Sequence, residues 1–501
     1  MRTQPNVLLL FSDQHNAGAL SCAGHPDVTT PHLDRLAASG VRFNRAYCQD
    51  GVCVASRASL FTGQYPRALG CLDNGDRSVA MEEAISLPRV LQTCGYRTAA
   101  FGKRHLYLGC DAGWHIRAGH QIVESPDDNY VDWLRAQGQI AAFSRDWAAE
   151  FGCGPDGTPE HGQDIAFALL SARASQLPED CTMEAWTKRR TIEFLRTRRQ
   201  GDPPFFCFAS FYRPHQPYTP LPRYFERFDR RQWGRGTRHG DVLAMPASLR
   251  QPVAELPPVF QEWHAGTNRI WRLDLARQDE QLYRDAIAAY YALVMEIDDH
   301  IGDILRVLEE TGQRENTIVI YASDHGDFVG AHGMVEKCSV GHNIYEDTLR
   351  VPLLISWPGR IAPRRTPDDL VELVDLFPTV MELCGAPAAA VPGLQGASLA
   401  PYLLRDQPVG KPWLVSENWS QTTVITPRYK LGVWNDVSQS RPQQDYRAFG
   451  PMLFDMATDP LELRNCWSEL PEVREQLSQY LEAWRKRQPD VPVPPVAPAL
   501  P

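Results

Sequence analysis

The chain has 501 residues, 43% of them hydrophobic and 22% charged, with a net charge of −10 and a sequence pI of about 5.8. Such a length carries a large core without a disulfide scaffold, and the acidic balance argues against a general nucleic-acid binder. The twelve cysteines are scattered with no repeated C-x-x-C pair, which argues against a zinc ribbon, and no stretch approaches the ~20 apolar residues of a membrane helix.

Taken along the chain, short β-rich runs alternate with helical patterns, which predicts an α/β fold with a mostly parallel sheet flanked by helices. Asn6 to Phe11 reads as a buried strand ending at Asp13-Gln14. Its apolar part, Val7 to Phe11, is too short for a signal-peptide core. A soluble cytoplasmic protein with reduced thiols is therefore expected. Thr30-Pro31 predicts a helix start, with Thr30 as cap, Leu33 and Leu36 inward, and Gly40 as the stop. Arg97 to Phe101 is a second strand, ending at Gly102-Lys103. Phe205 to Phe211, Thr317 to Tyr321 and Val351 to Trp357 are three more. Residues 282–311 carry the longest helical period, with Ile287, Tyr291, Val294, Ile297, Ile301 and Leu305 on one face. Asp298, Asp299 and Asp303 on it read as a solvated face. Residues 107–200 and 222–280 read as insertions between core elements. Trp114, Trp133, Trp147, Trp233, Trp263 and Trp271 lie there, as core residues or as stacking platforms for a substrate ring. From about 405 the pattern changes to short strands and one late helix, Pro471 to Lys486. The expected division is 1–404, 405–488 and a Pro-rich tail, 489–501.

The chemistry concentrates at strand ends. Asp13, Lys103 and Asp324 each follow a predicted strand, and ligands of open α/β sheets sit outside those ends. Gly51 to Gly63 (GVCVASRASLFTG) reads as a loop entering a short helix that stops at Gly63. Cys53 then stands at a helix N-terminus, where an anion is favoured, with Arg57 one turn later suited to a tetrahedral oxyanion.

This stretch resembles the sulfatase signature, Cys-x-Pro-Ser-Arg with a short helix and Thr-Gly. Other segments resemble the family in its own order: Asn6 to Gln14, Gly102 to Leu106, Tyr212 to Pro217, Ser323 to Gly326, His332-Gly333 with Glu336-Lys337, and Met452 to Glu462. The resemblance implies an alkaline-phosphatase-like α/β domain with a smaller C-terminal α+β subdomain holding a short antiparallel sheet. It implies a nucleophile formed when a maturation enzyme oxidises Cys53 to formylglycine (3-oxoalanine). One hydroxyl of the aldehyde hydrate attacks sulfur, and loss of a proton from the other releases sulfate. Two departures stand out. Ala55 replaces the usual Pro, as in a minority bacterial pattern. The metal positions read Asp13-Gln14 and Asp324-His325, as in choline sulfatases and phosphonate monoester hydrolases.

Asp13, Gln14, Asp324 and His325, with residue 53, are thus the implied holders of one divalent ion. Their oxygens suit Ca²⁺, Mg²⁺ or Mn²⁺, and the imidazole shifts the preference toward Mn²⁺. Arg57, Lys103 and Lys337 are expected to offset charge on the transferring group. By family role His105 is the base, and His215 with Lys337 serves the leaving oxygen. His15, Asp73, Asn74, His332 and His342 are pocket residues without an assigned role. The expected substrate is a small-molecule or saccharide sulfate ester, with no nucleic acid or membrane partner and with homo-oligomerisation left open. Two alternatives stand beside this reading. One is a phosphonate monoester or phosphate diester hydrolase on the same fold. The other is a non-catalytic binding protein whose Cys53 is never converted.

Overall fold

The computed structural model describes residues 4–120, 125–126, 128–148, 172–228, 245–258, 260–261, 280–337, 344–386, 391–435 and 450–489. Trp233, Trp263, Trp271, His342 and the Pro-rich tail from residue 490 lie outside them. In chain order the main sheet is built from β1 (Asn6–Asp13), β2 (Val41–Tyr47), β3 (Arg97–Gly102), β4 (Ile116–Gly119), β5 (Phe205–Pro214), β6 (Thr317–Ser323), β7 (Arg350–Val351), β8 (Leu353–Ser356) and β9 (Arg364–Glu372). Their order across the sheet is β9-β2-β8-β6-β1-β5-β3-β4, with β7 also on β2. All pairs are parallel except those made by β7 and β8.

The central strand β1 shows why its sequence is a continuous apolar run. Side chains alternate between faces. Val7, Leu9 and Phe11 enter one core, while Leu8 and Leu10 enter the other. A strand covered on both faces has no polar side to show. On the second face lie α1 (Pro31–Ala38), α3 (Met183–Thr197) and α4 (Glu280–Glu310). On the first lie α2 (Cys53–Thr62) and α5 (Leu376–Leu383).

Several expectations need correction. Helix α1 starts after Thr30 as predicted, but the Thr30 side chain does not cap it and bonds to Ser21 instead. The cap comes from Asp298 on α4, whose carboxylate accepts from His32 N (3.1 Å) and Leu33 N (2.8 Å). Asp298 is buried, so the solvated-face reading fails there. Val351 to Trp357 is not one strand. Pro352, which has no N–H, separates β7 from β8, and both run antiparallel to their neighbours. Strands β2, β4 and β9 were not anticipated. Within 107–200, β4 extends the sheet and α3 packs on it. Of the described tryptophans, Trp114 stacks on Phe206 and Phe208 and packs, partly buried, against the core.

A second sheet is a four-stranded antiparallel meander of β10 (Leu414–Glu417), β11 (Gln421–Ile425), β12 (Tyr429–Trp434) and β13 (Met452–Asp455). Helix α6 (Pro471–Arg485) closes its core through Leu477, Leu481 and Trp484. No described helix is long and apolar enough to cross a membrane. The ten described cysteines are free.

Candidate active site

Four parallel neighbours, β6, β1, β5 and β3, end on one side of the sheet. Their carboxyl ends deliver Asp324-His325, Asp13-Gln14, His215 and Lys103 respectively. Close strand packing is written into Gly102, which has a φ of +92° and a position where a Cβ would lie 2.0 Å from Ser210 O. Helix α2 enters the same region with Cys53 in its first turn and ends at Gly63 in the left-handed conformation, as the sequence predicts. Val52, at the cap position, offers no side-chain acceptor. Asn74 fills the role from a neighbouring loop, its Oδ1 accepting from Val54 N at 3.0 Å. Asp50 Oδ1 takes Val52 N at 2.8 Å.

Cys53, Asp13, Asp324 and His325 are all buried and offer ligand atoms that lie within 4.8 Å of one another. The Cys53 thiol donates to His325 Nε2 at 3.1 Å and lies 3.9 Å from Asp13 Oδ1. His325 Nδ1 donates to Gly326 O at 2.9 Å, so Nε2 carries the lone pair that faces the cluster. Burial holds the His325 imidazole below its usual pKa and therefore neutral, despite Asp324 and Asp13. Two carboxylates and a neutral imidazole nitrogen on one small cavity are a donor set that suits a divalent cation. Gln14 has a φ of +69° and its N donates to Asp324 Oδ1 at 3.0 Å. Its side-chain amide donates to Gln216 (2.9 Å) and Asp327 (2.7 Å), and its Oε1 accepts from Lys337 Nζ at 3.0 Å.

The cations differ in what they can reach. Arg57 has no exposed surface. Nε donates to Asp324 (2.7 Å), Nη2 to Asp13 (3.0 Å), and Nη1 to Lys103 O (2.8 Å) and Ser210 Oγ (3.1 Å). The expectation that Arg57 faces a substrate oxyanion is therefore corrected: its fork is spent on the two cluster carboxylates. Burial disfavours its charge, but Asp324 and Asp13 outweigh that and raise its pKa. Lys103 Nζ lies 2.6 Å from Asp13 Oδ2 and 4.5 Å from the Tyr212 ring centroid. Burial opposes the charge on Asp13, yet Lys103 and Arg57 hold its carboxyl well below the usual range.

Lys337 Nζ bonds Glu336 at 2.7 Å and His215 Nε2 at 3.3 Å. His215 Nδ1 donates to Gln216 O at 2.9 Å, which leaves Nε2 as the acceptor. Burial and the charges of Lys337 and Lys103 push the His215 pKa well down. The pair is thus a neutral imidazole beside a charged ammonium. Burial, Lys103 and Arg57 likewise depress His105, which has a φ of +46°. Burial and then Asp13 push the Cys53 thiol up to about 12.

All ten residues singled out for the site are thus drawn into one region or its immediate electrostatic surroundings. Those without an assigned role divide. Asn74 holds the nucleophile helix. His15 is pinned between Tyr321 OH (2.5 Å) and Ala19 O (3.0 Å). His332 packs on Tyr345, Phe328 and Phe260. Sequence reasoning passed over Ser210 and Asp327 and gave no role to Gln216 and Glu336, although both stand in motifs it singled out. Glu336 and Gln216 were legible in principle, because each adjoins a residue already singled out.

Residues 5–386 match the Sulfatase family, and residues 330–487 match the family described as N-sulphoglucosamine sulphohydrolase, C-terminal. The chain is 30% identical to the Escherichia coli sulfatase YidJ over 76% of this chain and 68% of that protein. It is 24% identical to the N-acetylglucosamine-6-O-sulfatase of Bacteroides thetaiotaomicron, over 97% of this chain and 87% of the relative. In fold it is similar to the phosphonate monoester hydrolase of Agrobacterium radiobacter, with a TM-score of 0.75, 24% identity and coverage of 97% and 96% of the two chains. The chain belongs to the sulfatase family. It is a sulfuric ester hydrolase built on the alkaline-phosphatase-like fold.

Proposed function

We propose that the protein hydrolyses a saccharide or small-molecule sulfate ester by means of formylglycine formed from Cys53, with one divalent ion held by Asp13, Gln14, Asp324 and His325. The observation that carries this reading is the placement of Cys53 Sγ, 3.1 Å from His325 Nε2 at the first turn of α2, facing the carboxylates of Asp13 and Asp324. The aldehyde hydrate supplies two hydroxyls on one carbon, one to attack sulfur and one whose loss of a proton frees the sulfate. A bound Ca²⁺, Mn²⁺ or Mg²⁺ supplies Lewis-acid polarisation of a sulfate oxygen. A maturation enzyme acting on Cys53 is part of the proposal, as is a cytoplasmic setting.

The protein's own groups do the rest. Lys103 and Lys337 offset the charge of the sulfate, while Arg57 fixes the two carboxylates. His105, held neutral by burial and its cationic neighbours, accepts the proton whose removal releases sulfate. Lys337 carries the proton for the leaving oxygen, and His215 aligns it through Nε2. The saccharide preference is supported by the relative that acts on N-acetylglucosamine 6-O-sulfate.

The second reading, a phosphonate monoester hydrolase, draws on the fold likeness to the Agrobacterium enzyme and on Gln14 with His325. Lys103 and His105 favour sulfate. Side-by-side kcat/KM values for an aryl sulfate and the matching phenylphosphonate ester decide between them. A sulfate preference is expected. A phosphonate preference of about a hundredfold, or ~2.7 kcal/mol of transition-state stabilisation, would favour the second reading.

A further inference from the structure

The loop that caps the nucleophile helix also builds a second cationic feature. Asn74 takes Val54 N, next to residue 53. Three residues on, Arg77 turns its Nη1 back onto the carbonyls of Asn74 (3.1 Å) and Asp76 (2.6 Å). Its guanidinium then lies 3.3 Å over the centroid of the Tyr107 ring. Tyr107 in turn meets His105 edge-on, with ring centroids 5.8 Å apart. Arg77 is therefore tied to both sides of the active site, to the nucleophile helix through Asn74 and to His105 through Tyr107. It is nonetheless exposed.

The donor count on Arg77 is informative. Nη1 is occupied, whereas Nε and Nη2 have no hydrogen-bond partner and no carboxylate lies within ion-pair distance among the described residues. The acidic groups of the same loop are turned to the backbone: Asp73 accepts from Asn74 N and Asp76 from Leu72 N, each at 2.8 Å. Asp76 lies near enough to feel the Arg77 charge, but not to bond it. A guanidinium laid on an aromatic face and anchored by two carbonyls has already lost most of its rotamer freedom. Its open edge is the planar fork that binds a carboxylate or sulfate in bidentate fashion. The scissile group does not need it, since Lys103 and Lys337 already stand in the site.

We propose that Arg77, stacked on Tyr107 in the loop that caps the nucleophile helix, is a subsite for a second anionic group on the sulfated saccharide. This rests on the sulfate-ester reading above and deepens it, because it favours a polyanionic glycan over a simple aryl sulfate. The second anion is a uronate carboxylate or a further sulfo group, which share the same oxyanion geometry.

The test compares Arg77→Met with the wild type, since methionine keeps the apolar stem on Tyr107 and removes the fork. One arm takes the kcat/KM ratio of glucosamine 2-N,6-O-disulfate to glucosamine 6-O-sulfate. The other takes the ratio of a uronate-linked glucosamine 6-O-sulfate disaccharide to the monosaccharide. The ratio should fall about tenfold or more in one arm, mainly through KM, as expected for a lost charge-assisted bond. The arm that responds identifies the anion. Ratios within twofold of wild type in both arms would overturn the subsite, including the case in which all four substrates lose activity alike. Wild-type protein with the aldehyde in place that turns over none of these esters would instead remove the hydrolysis reading beneath it.

Discussion

Arg57 stands where a substrate-binding arginine is expected, yet its guanidinium donates to Asp324, Asp13, Lys103 O and Ser210. Two carboxylates, Asp13 and Asp324, approach each other at the strand ends, and without a cation between them their repulsion in a buried site would be severe. Arg57 bridges them with Nε and Nη2. A lysine in its place offers one point charge and cannot bond both carboxylates and Ser210 in the same plane. Arg57→Lys should therefore destabilise the fold, by about 3 kcal/mol or more if the buried pairs are broken. Urea denaturation checks this, and an unchanged midpoint with a raised KM alone would return Arg57 to substrate binding. The identity of this residue was plain in the sequence, but its partners were not. A fork that suits a tetrahedral oxyanion suits a carboxylate equally well, and only the fold shows which one it meets.

At the scale of the element, helix α1 depends on a residue far from it in the chain. Its own cap candidate, Thr30, is engaged by Ser21, so the His32 and Leu33 N–H groups rely on Asp298. Burial pushes the Asp298 carboxyl up to about 7, although these two donors oppose the shift. Asp298→Ala should leave two donors of a buried helix end without an acceptor and cost about 1–3 kcal/mol. Asp298→Asn retains one acceptor and should cost less. Thermal melts of the two variants give the order, and equal stability of wild type and alanine variant would contradict the capping role. The elements legible in the sequence were those whose pattern is set by their own burial. Strands β1, β3, β5 and β6 are apolar because both faces are covered, and α2 and α6 carry their own stop or start signals. Strand β9 contains Pro367-Asp368-Asp369, which carry no strand signal, and its existence depends on pairing with β2. Asp298 reads as solvated for the same reason: the N-terminus it caps is distant in sequence.

For the molecule as a whole, the second sheet is joined to the active-site side of the first by buried charge. Lys430 of β12 pairs with Glu346 and Glu462, each at 2.7 Å. Glu346 N also donates to Glu462 at 2.7 Å. The turn begun by Glu346 reaches Thr348, whose carbonyl accepts from Gly326 N at 2.7 Å, next to His325. A Cβ on Gly326 would lie 2.0 Å from Asp347 O, so this approach has no slack. Lys430→Met leaves the buried Glu462 without its cation, while Glu346 keeps Arg350 at 3.1 Å, and should lower the unfolding free energy by about 3 kcal/mol. A change below about 0.5 kcal/mol in urea would mean that this ion cluster does not hold the two sheets together. Conversion of Cys53 is read from the mass of the peptide that contains it, taken from protein shown to turn over a sulfate ester. A peptide about 18 Da lighter than the cysteine form, reactive toward a hydrazide, is expected. Unmodified Cys53 throughout a preparation with full multiple turnover would contradict that conversion.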